Sequence, residues 1–255
     1  MPKISFGHVN VSYREKKKKD VVVFDDLTAS FDNGKINVVL GESGSGKTTL
    51  LKTLTDGVDY EGKIFFDDVD IGKTKVKNRN ISYVSQEYSL YPDMNVFDNI
   101  AFPLRLLKAP IDEIKERVIE IAKELQIEMC LTRKPRHISG GQQQRVAIAR
   151  ALVKAPNVCL LDEPLSNVDE LAANKIIPLI KETLSKRGVT SLYVTHNLRE
   201  AMLLADKIYL MENGKFVFAG TPYEASNSGN PSMSSLMKAY FGERREKGDE
   251  EKEER

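Results

Sequence analysis

The first feature of the chain that could do chemistry is a glycine-rich stretch, Gly41–Thr48, with the sequence GESGSGKT. It fits the spacing G-x-x-x-x-G-K-[ST], with an apolar run before it and a helical pattern from Lys47. Backbone N–H groups of such a loop can turn inward around phosphate oxygens, and the helix N-terminus adds its positive dipole end. Lys47 can reach the β and γ phosphates of a nucleotide, and the Thr48 hydroxyl suits Mg²⁺. We therefore predict nucleotide contacts from Gly41, Ser43, Gly44, Ser45, Gly46, Lys47, Thr48 and Thr49.

Two adjacent carboxylates, Asp162 and Glu163, end a buried-type strand that begins at Val158. Ligands of open α/β sheets sit at the carboxyl ends of the strands, so this position suits a metal site. Asp162 can hold Mg²⁺ through water, and Glu163 can orient or deprotonate an attacking water. The alternative is an acidic strand end that caps the turn at Pro164. The phosphate loop in the same chain favours the catalytic interpretation.

Three further side chains lie at the ends of predicted strands. His196 follows the strand at 191–195, and Gln86 follows the strand at 81–85. Taken singly, each is more typical of a structural residue, but beside a phosphate site His196 could face the γ phosphate and Gln86 could bind Mg²⁺ or the attacking water. Tyr13 ends an alternating strand and could stack on an adenine, whereas an isolated tyrosine is usually a packing residue.

The run Ser139-Gly140-Gly141-Gln142 also has the character of a phosphate contact, and it precedes a predicted helix at 143–153. Ser139 is predicted to cap that helix. Capping alone does not require two consecutive glycines, whose bare backbone favours close approach of a ligand. An exposed helix start still offers its N–H groups to an anion. One chain therefore contains two candidate places for phosphate contact.

Length and composition exclude several classes of protein. The 255 residues suit one large α/β domain with a small helical subdomain. Lys plus Arg total 38 and Asp plus Glu total 37, so the chain has no excess of positive charge that would favour nucleic acid, and no such partner is expected. There is no signal-peptide pattern and no apolar stretch of the ~20 residues that a bilayer requires. With only Cys130 and Cys159, the chain fits a reducing compartment, and we predict a soluble cytoplasmic protein.

The alternation of strand and helix patterns predicts an α/β fold, a P-loop NTPase core with a mostly parallel sheet. An N-terminal antiparallel β subdomain is predicted from strands at 4–13, 21–24, 27–31 and 62–66. Amphipathic patterns at 96–107 and 111–127 predict a helical subdomain inserted at about 87–150.

The predicted folded domain extends over residues 1–242. The basic cluster Lys16–Lys19 is predicted to be a solvated hairpin tip. The charged segment 243–255 is predicted to be a disordered tail without catalytic content.

Taken together, these runs resemble the nucleotide-binding subunit of ATP-binding cassette (ABC) transporters over roughly residues 4–220. The resemblance rests on six motifs in the family's order: Walker A at Gly41–Thr48, the Q-loop glutamine Gln86, the signature at 139–142, Walker B at Val158–Asp162 with Glu163, a D-loop ending at Asp169, and the switch histidine His196. Such a set is very specific for this family.

The resemblance implies a dimer of two cassettes, packed head to tail around two ATP molecules. Each ATP would lie between Walker A of one chain and the signature of the other, where Ser139, Gly140, Gly141, Gln142 and Asp169 would contribute. Glu163 would be the catalytic base and His196 the γ-phosphate sensor, with Lys47 and Gln86 also catalytic. Thr48, Gln86 and Asp162 would bind Mg²⁺, and Tyr13 would stack on adenine.

The resemblance also implies the partners of the chain. These are a second ATPase subunit, expected to be another copy of this chain, and integral membrane permease subunits. A substrate-binding protein is a further candidate. The chain would lie at the inner face of the cell membrane, with its helical subdomain receiving a coupling helix of the membrane subunit.

Within the family, the runs at 90–96 and 99–104 resemble importer ATPases, especially the sugar-uptake group. Those subunits usually carry a C-terminal β-rich regulatory domain, which we expect to be absent here. Ile138 stands where the signature usually begins with Leu, and Asn167 stands where the D-loop usually has Ala.

We expect an import ATPase. The alternatives are a lipid or lipoprotein exporter ATPase and a soluble ABC protein that acts on ribosomes or DNA. A single cassette without a long heptad run disfavours the last.

Overall fold

A computed structural model of the protein describes residues 1–14, 20–240 and 242. The strands are β1 Ile4–Tyr13, β2 Val21–Phe31, β3 Ile36–Leu40, β4 Glu61–Phe66, β5 Val69–Asp70, β6 Ile81–Val84, β7 Val158–Asp162, β8 Thr190–Thr195, β9 Lys207–Glu212 and β10 Lys215–Gly220. The α-helices are α1 Lys47–Leu54, α2 Val96–Leu106, α3 Ile111–Glu124, α4 Gly140–Leu152, α5 Glu170–Arg187, α6 Leu198–Leu204 and α7 Pro222–Ser226. Residues 231–240 are also helical, and short 3₁₀ turns lie at Ile71–Lys73, Val76–Asn78, Glu128–Cys130 and Pro135–His137.

The N-terminal strands form an antiparallel sheet, with the order β2-β1-β4-β5 in the described part of the chain. The prediction of two strands at 21–24 and 27–31 is wrong, because β2 runs through both without interruption. Asp26 has a left-handed φ of 60°, and opposite it the register between β1 and β2 shifts around Val9. The sequence break at Asp25-Asp26 is therefore a bulge within one strand, which keeps its pairing on both sides.

The second sheet has the order β10-β9-β3-β8-β7-β6 among the described residues. Its strands β3, β6, β7, β8 and β9 run parallel, and only the β9–β10 hairpin is antiparallel. Strands β3, β7 and β8 are buried along their whole length, as expected for a parallel sheet that is covered on both faces. This sheet confirms the predicted α/β fold with a mostly parallel core.

The register of these strands brings their carboxyl ends to one edge of the sheet. Leu40 is opposite Thr195, Asp162 is opposite Val194, and Val84 is opposite Leu161. The residues that follow each strand therefore meet at this edge, which is where ligands of open α/β sheets bind.

Helices α2, α3 and α4 lie between β6 and β7 and share one apolar core, with Ile100, Val118 and Val146 fully buried. Asn95 caps α2 by accepting a hydrogen bond from the Asp98 N–H. Helix α3 ends at Glu124, so the predicted end at 127 is wrong. Gln126 has a left-handed φ of 52°, which stops the helix although Leu125 and Ile127 continue the apolar pattern into the core.

Among the described residues, no helix is both long enough and apolar enough to span a bilayer. The two predictions for Lys16–Lys19 and for the tail 243–255 concern residues outside the described part of the chain.

Candidate functional site

The loop Gly41–Thr48 joins the end of β3 to the start of α1. Its first residue is fixed to the sheet, because the Gly41 N–H donates to the Thr195 carbonyl at 3.3 Å. Gly46 precedes the helix with a φ of 109°, and a Cβ there would lie 2.8 Å from the Phe24 ring. Only glycine satisfies both conditions, so β2 and the helix start together determine the loop's path.

Lys47 begins α1 with a side chain that is only 4% exposed. Its Nζ donates to the carbonyls of Gly41 at 2.8 Å and Glu42 at 2.7 Å, and lies 3.7 Å from Glu163 Oε1. Burial lowers the pKa of Lys47, while the nearby Glu163 carboxylate opposes that shift. The ammonium therefore lies at the centre of the loop, between backbone carbonyls and a carboxylate.

Asp162 is the last residue of β7 and is 7% exposed. Its Oδ1 accepts a hydrogen bond from the Thr48 hydroxyl at 3.1 Å, and its Oδ2 accepts one from the Tyr83 hydroxyl at 2.7 Å. The predicted pair of Mg²⁺ residues, Thr48 and Asp162, thus lies in direct contact although 114 residues separate them in the chain.

Glu163 and His196 form a pair at the same edge. Glu163 Oε2 lies 2.9 Å from His196 Nδ1. Glu163 has a left-handed φ of 43°, and its N–H donates to the Val194 carbonyl at 3.0 Å. Its own carbonyl accepts from the Ser166 hydroxyl at 2.9 Å. The backbone around Glu163 is thus held by β8 and the following turn, which directs the carboxylate towards Lys47 and His196.

Gln86 follows β6 and lies in a turn that borders the same pocket. Its backbone carbonyl accepts a hydrogen bond from the Asn167 side chain at 3.1 Å. Two residues later Tyr88 and Ser89 have left-handed φ angles, and their carbonyls accept from Arg150 of α4 at 2.8 Å each. Contacts from the segment after β7 and from α4 therefore fix the path of the Gln86 loop.

Two neighbouring clefts open at this edge of the sheet. One has a volume of about 390 Å³ and is lined by Val23, Ser43, Gly44, Gly46, Lys47, Thr48, Thr49, Gln86, Asp162 and Glu163. The other, of about 1090 Å³, extends from the loop and from Glu163 and His196 to the helical segment 231–240. Glu163, Ser43 and Gly44 line both, so the loop forms a wall between the two spaces.

The remaining predicted residues lie elsewhere. Neither cleft is lined by the run 139–142 or by Asp169. Ser139 and Gln142 form a capping box at the start of α4, with the Ser139 N–H donating to Gln142 Oε1 at 2.9 Å. Asp169 caps α5 by accepting from the Ala172 N–H at 2.9 Å. The Tyr13 hydroxyl lies 3.2 Å from Thr49 Oγ1, beside α1 and outside the lining of both clefts.

The residues of the phosphate loop and of the two clefts beside it fit a magnesium nucleotide. The buried Ser45 hydroxyl has no hydrogen-bond partner in the described part of the chain, which is expected of a loop whose partner is a ligand. Thr48, Asp162 and Gln86 offer oxygen donors, the type that Mg²⁺ prefers, with phosphates and water completing its shell. No group of three or more His, Cys, Asp or Glu side chains suited to a metal ion occurs among the described residues.

Three contacts of the site were not predicted from the sequence. The Tyr83 hydroxyl donates to Asp162. The sequence gives only a weak indication of this contact, because a tyrosine in an alternating strand is an ordinary packing residue. Val23 of β2 lines the smaller cleft. The Gly214 N–H, in the β9–β10 turn, donates to the Ser45 carbonyl at 2.9 Å. The Asn213-Gly214 pair signals the hairpin turn but not the loop that it contacts.

Comparison with known proteins identifies the family of the chain. Residues 24–166 match the family model described as ABC transporter. The chain is 44% identical to the glucose import ATP-binding protein of Saccharolobus solfataricus, over 92% of this chain and 67% of that protein. It is 41% identical to the spermidine/putrescine import ATP-binding protein of Haemophilus influenzae, over 79% of this chain and 55% of that protein. The chain thus spans about two thirds of the first relative and just over half of the second.

A solved structure has the same fold. The dimeric post-hydrolysis state of the ATP-binding cassette MJ0796, bound to ADP and Pi, superposes with a TM-score of 0.76 at 27% identity. The alignment covers 86% of this chain and 98% of that one. With the family model matching more than half of the chain and relatives above 40% identity, the chain belongs to the ABC transporter family and is one of its ATP-binding cassettes.

Proposed function

We propose that this cassette hydrolyses ATP as an ATP-gated dimer and drives import through separate membrane permease subunits. The observation that carries the proposal is the meeting of Lys47, Thr48, Asp162, Glu163 and His196 at one sheet edge. These residues come from three strand ends, and no structural need of the fold brings a lysine, two carboxylates and a histidine together.

The geometry supports a division of roles. Lys47 gives up its two carbonyl partners and binds the β and γ phosphates of ATP. Mg²⁺, held by Thr48, Asp162 and Gln86, would neutralise charge on the phosphates. Glu163 accepts a proton from the water that attacks the γ phosphorus, and His196, 2.9 Å from it, holds the carboxylate in place. ADP and phosphate are the products.

The position of the run 139–142 supports the proposed dimer. Neither of the two clefts described at the phosphate loop is lined by these residues, so they do not contribute to that site from within the same chain. We propose that they contact the ATP bound by a second copy. The dimeric form of the MJ0796 cassette supports this arrangement.

Import rather than export is supported by the relatives, both of which are named as import ATP-binding proteins. Their names also differ in what is imported, a neutral sugar in one and polycations in the other, at 44% and 41% identity. Similarity of the cassette therefore supports the energy-coupling role and assigns no transported molecule. We place the chain in the cytoplasm, bound to permease subunits at the inner face of the membrane, with a substrate-binding protein as a further partner.

The test uses variants of Glu163 and Ser139 in purified protein. Glu163→Gln keeps the size of the side chain but removes the base, so ATP turnover should fall about 10²- to 10⁴-fold while ATP binding persists. With ATP and Mg²⁺ this variant should elute as a dimer in size-exclusion chromatography with light scattering. Turnover at the native rate would remove Glu163 from the catalytic role.

Adding Ser139→Arg to Glu163→Gln should block the dimer by filling the contact with a second copy. Ser139→Ala in the same background is the control, since it loses the same helix cap, at a cost of about 1 kcal/mol, without adding bulk. The control should still dimerise. A dimer that forms with the arginine variant would contradict the shared site. Co-purification of permease subunits with the tagged chain from membranes tests the transport role.

A further inference from the structure

Each carboxylate oxygen of Asp162 has its own hydrogen-bond donor. The Thr48 hydroxyl donates to Oδ1 at 3.1 Å, and the Tyr83 hydroxyl donates to Oδ2 at 2.7 Å. The shorter bond is therefore the one from Tyr83, a residue outside the glycine loop and outside the β7 strand. Asp162 is 7% exposed, so its orientation depends on these two contacts more than on solvent.

The position of Tyr83 follows from the sheet. Strand β6 is next to β7 at the sheet edge, and Tyr83 is opposite Leu160, two residues before Asp162. Its neighbours Ser82 and Val84 are buried, which places Tyr83 on the other face of the strand. From there the phenol reaches along the strand direction to the carboxylate. Burial and the hydrogen bond to Asp162 both raise the pKa of Tyr83.

The two donors are not equivalent when Mg²⁺ binds. A threonine hydroxyl that coordinated the metal through an oxygen lone pair would keep its O–H as a donor, so Thr48 would serve both the metal and Asp162. Tyr83 has no such second duty. Tyr83 would hold Asp162 through Oδ2 alone, which leaves Oδ1 with Thr48.

We propose that Tyr83 is a positioning residue for Mg²⁺, which fixes the orientation of Asp162 so that Oδ1 faces the metal and its waters. The inference rests on the proposed function, because it assumes that the first cleft binds a magnesium nucleotide. Removing a hydrogen-bond partner of a metal-binding carboxylate typically costs 10- to 100-fold in metal affinity. We expect the lower value here, because the Tyr83 side chain is 39% exposed and water can replace part of the contact.

The experiment compares Tyr83→Phe with its parent, both in a Glu163→Gln background that prevents turnover. ATP binding to the full chain is measured by isothermal titration calorimetry at increasing Mg²⁺ and, separately, in EDTA. Tyr60→Phe is the matched control, since the Tyr60 hydroxyl is buried and has no hydrogen-bond partner among the described residues. Both tyrosine variants lose one oxygen and keep the ring.

Tyr83→Phe should require about tenfold more Mg²⁺ for half-maximal stimulation of ATP binding, with unchanged affinity in EDTA. Tyr60→Phe should match the parent in both conditions. Equal Mg²⁺ dependence of Tyr83→Phe and parent would overturn the proposal, and so would an equal loss of affinity with and without Mg²⁺, which would make the hydroxyl a general support of the pocket. If the parent itself shows no Mg²⁺-dependent ATP binding, the proposed function fails first, which is a separate result.

Discussion

Replacing Gly214 by alanine tests whether the β9–β10 turn supports the phosphate loop. Gly214 has a φ of 75°, and an added Cβ would overlap the carbonyl oxygen of Val23. The left-handed conformation costs about 1 kcal/mol for alanine. The overlap with backbone adds about 1–3 kcal/mol, and the lost hydrogen bond to the Ser45 carbonyl about 1 kcal/mol. We expect a loss of about 4 kcal/mol in the free energy of unfolding.

Gly188→Ala is the matched control for this prediction. Gly188 ends α5 with a φ of 60°, but a Cβ there would meet no atom within 4 Å. Gly188→Ala should lower the free energy of unfolding by only about 1 kcal/mol, the cost of the left-handed conformation for alanine. The difference between the variants, about 3 kcal/mol, therefore measures the contact with β2 and the loop. In thermal unfolding, the two melting temperatures should differ by about 6–12 °C.

The same pair of variants separates stability from binding. Because Gly214 donates to the loop at Ser45, its replacement should weaken ATP binding about tenfold, the equivalent of one hydrogen bond. Gly188→Ala should bind ATP as the native chain does. The reasoning is refuted if Gly214→Ala is no less stable than Gly188→Ala, or if it is less stable but binds ATP with native affinity.

Three further predictions concern single side chains. Lys47→Ala should weaken ATP binding about 10- to 100-fold, because it removes charge-assisted bonds to phosphate, and unchanged affinity in calorimetry would count against that role. Asn167→Asp replaces the N–H donor to the Gln86 carbonyl by a negatively charged carboxylate oxygen, which can only accept. ATP turnover should therefore fall about three- to tenfold with native ATP affinity, and Asn167→Ala should have a smaller effect. Burial pushes the pKa of Glu124 up, but the bonds from Lys186 and Arg187 outweigh it and leave the pKa below its ordinary 4.5. Glu124→Gln should therefore cost about 2 kcal/mol in urea unfolding at pH 7, and the deficit should disappear as the pH falls through the lowered pKa, whereas a pH-independent deficit would refute the ionic contribution.

The parts of the site that the sequence predicted are those that depend on short patterns. The loop Gly41–Thr48 and the polar residues after strands, such as Asp162 and His196, could be placed together because parallel strands share a carboxyl edge. Applying this rule requires only the order of strands and helices along the chain. The parallel register of β3, β7 and β8 brings their carboxyl ends to one edge, as the rule predicts.

The parts that it missed depend on which strands are neighbours and on what touches a turn. The contact from Tyr83 to Asp162 joins residues 79 apart in the chain, and it exists because β6 pairs with β7. The contact from Gly214 to the loop likewise needs the hairpin to fold back over β2. The local errors had a different origin, a single residue in the left-handed backbone conformation. The bulge at Asp26 looked like a chain break, and the apolar pattern past Glu124 continued while the backbone had already turned at Gln126.

The two glycines of the run 139–142 are explained by different causes. A Cβ on Gly141 would lie 3.0 Å from Ile176 Cδ1, so packing of α4 against α5 disfavours a larger residue there. A Cβ on Gly140 would meet nothing closer than the Asn167 carbonyl at 3.8 Å, an ordinary contact. The fold of this chain therefore does not require glycine at 140. The capping box satisfies the Gln142 N–H, while the first-turn N–H groups before it have no partner within the helix. Gly140 therefore leaves its backbone open at this helix start, as expected if a phosphate held by a second copy approaches it.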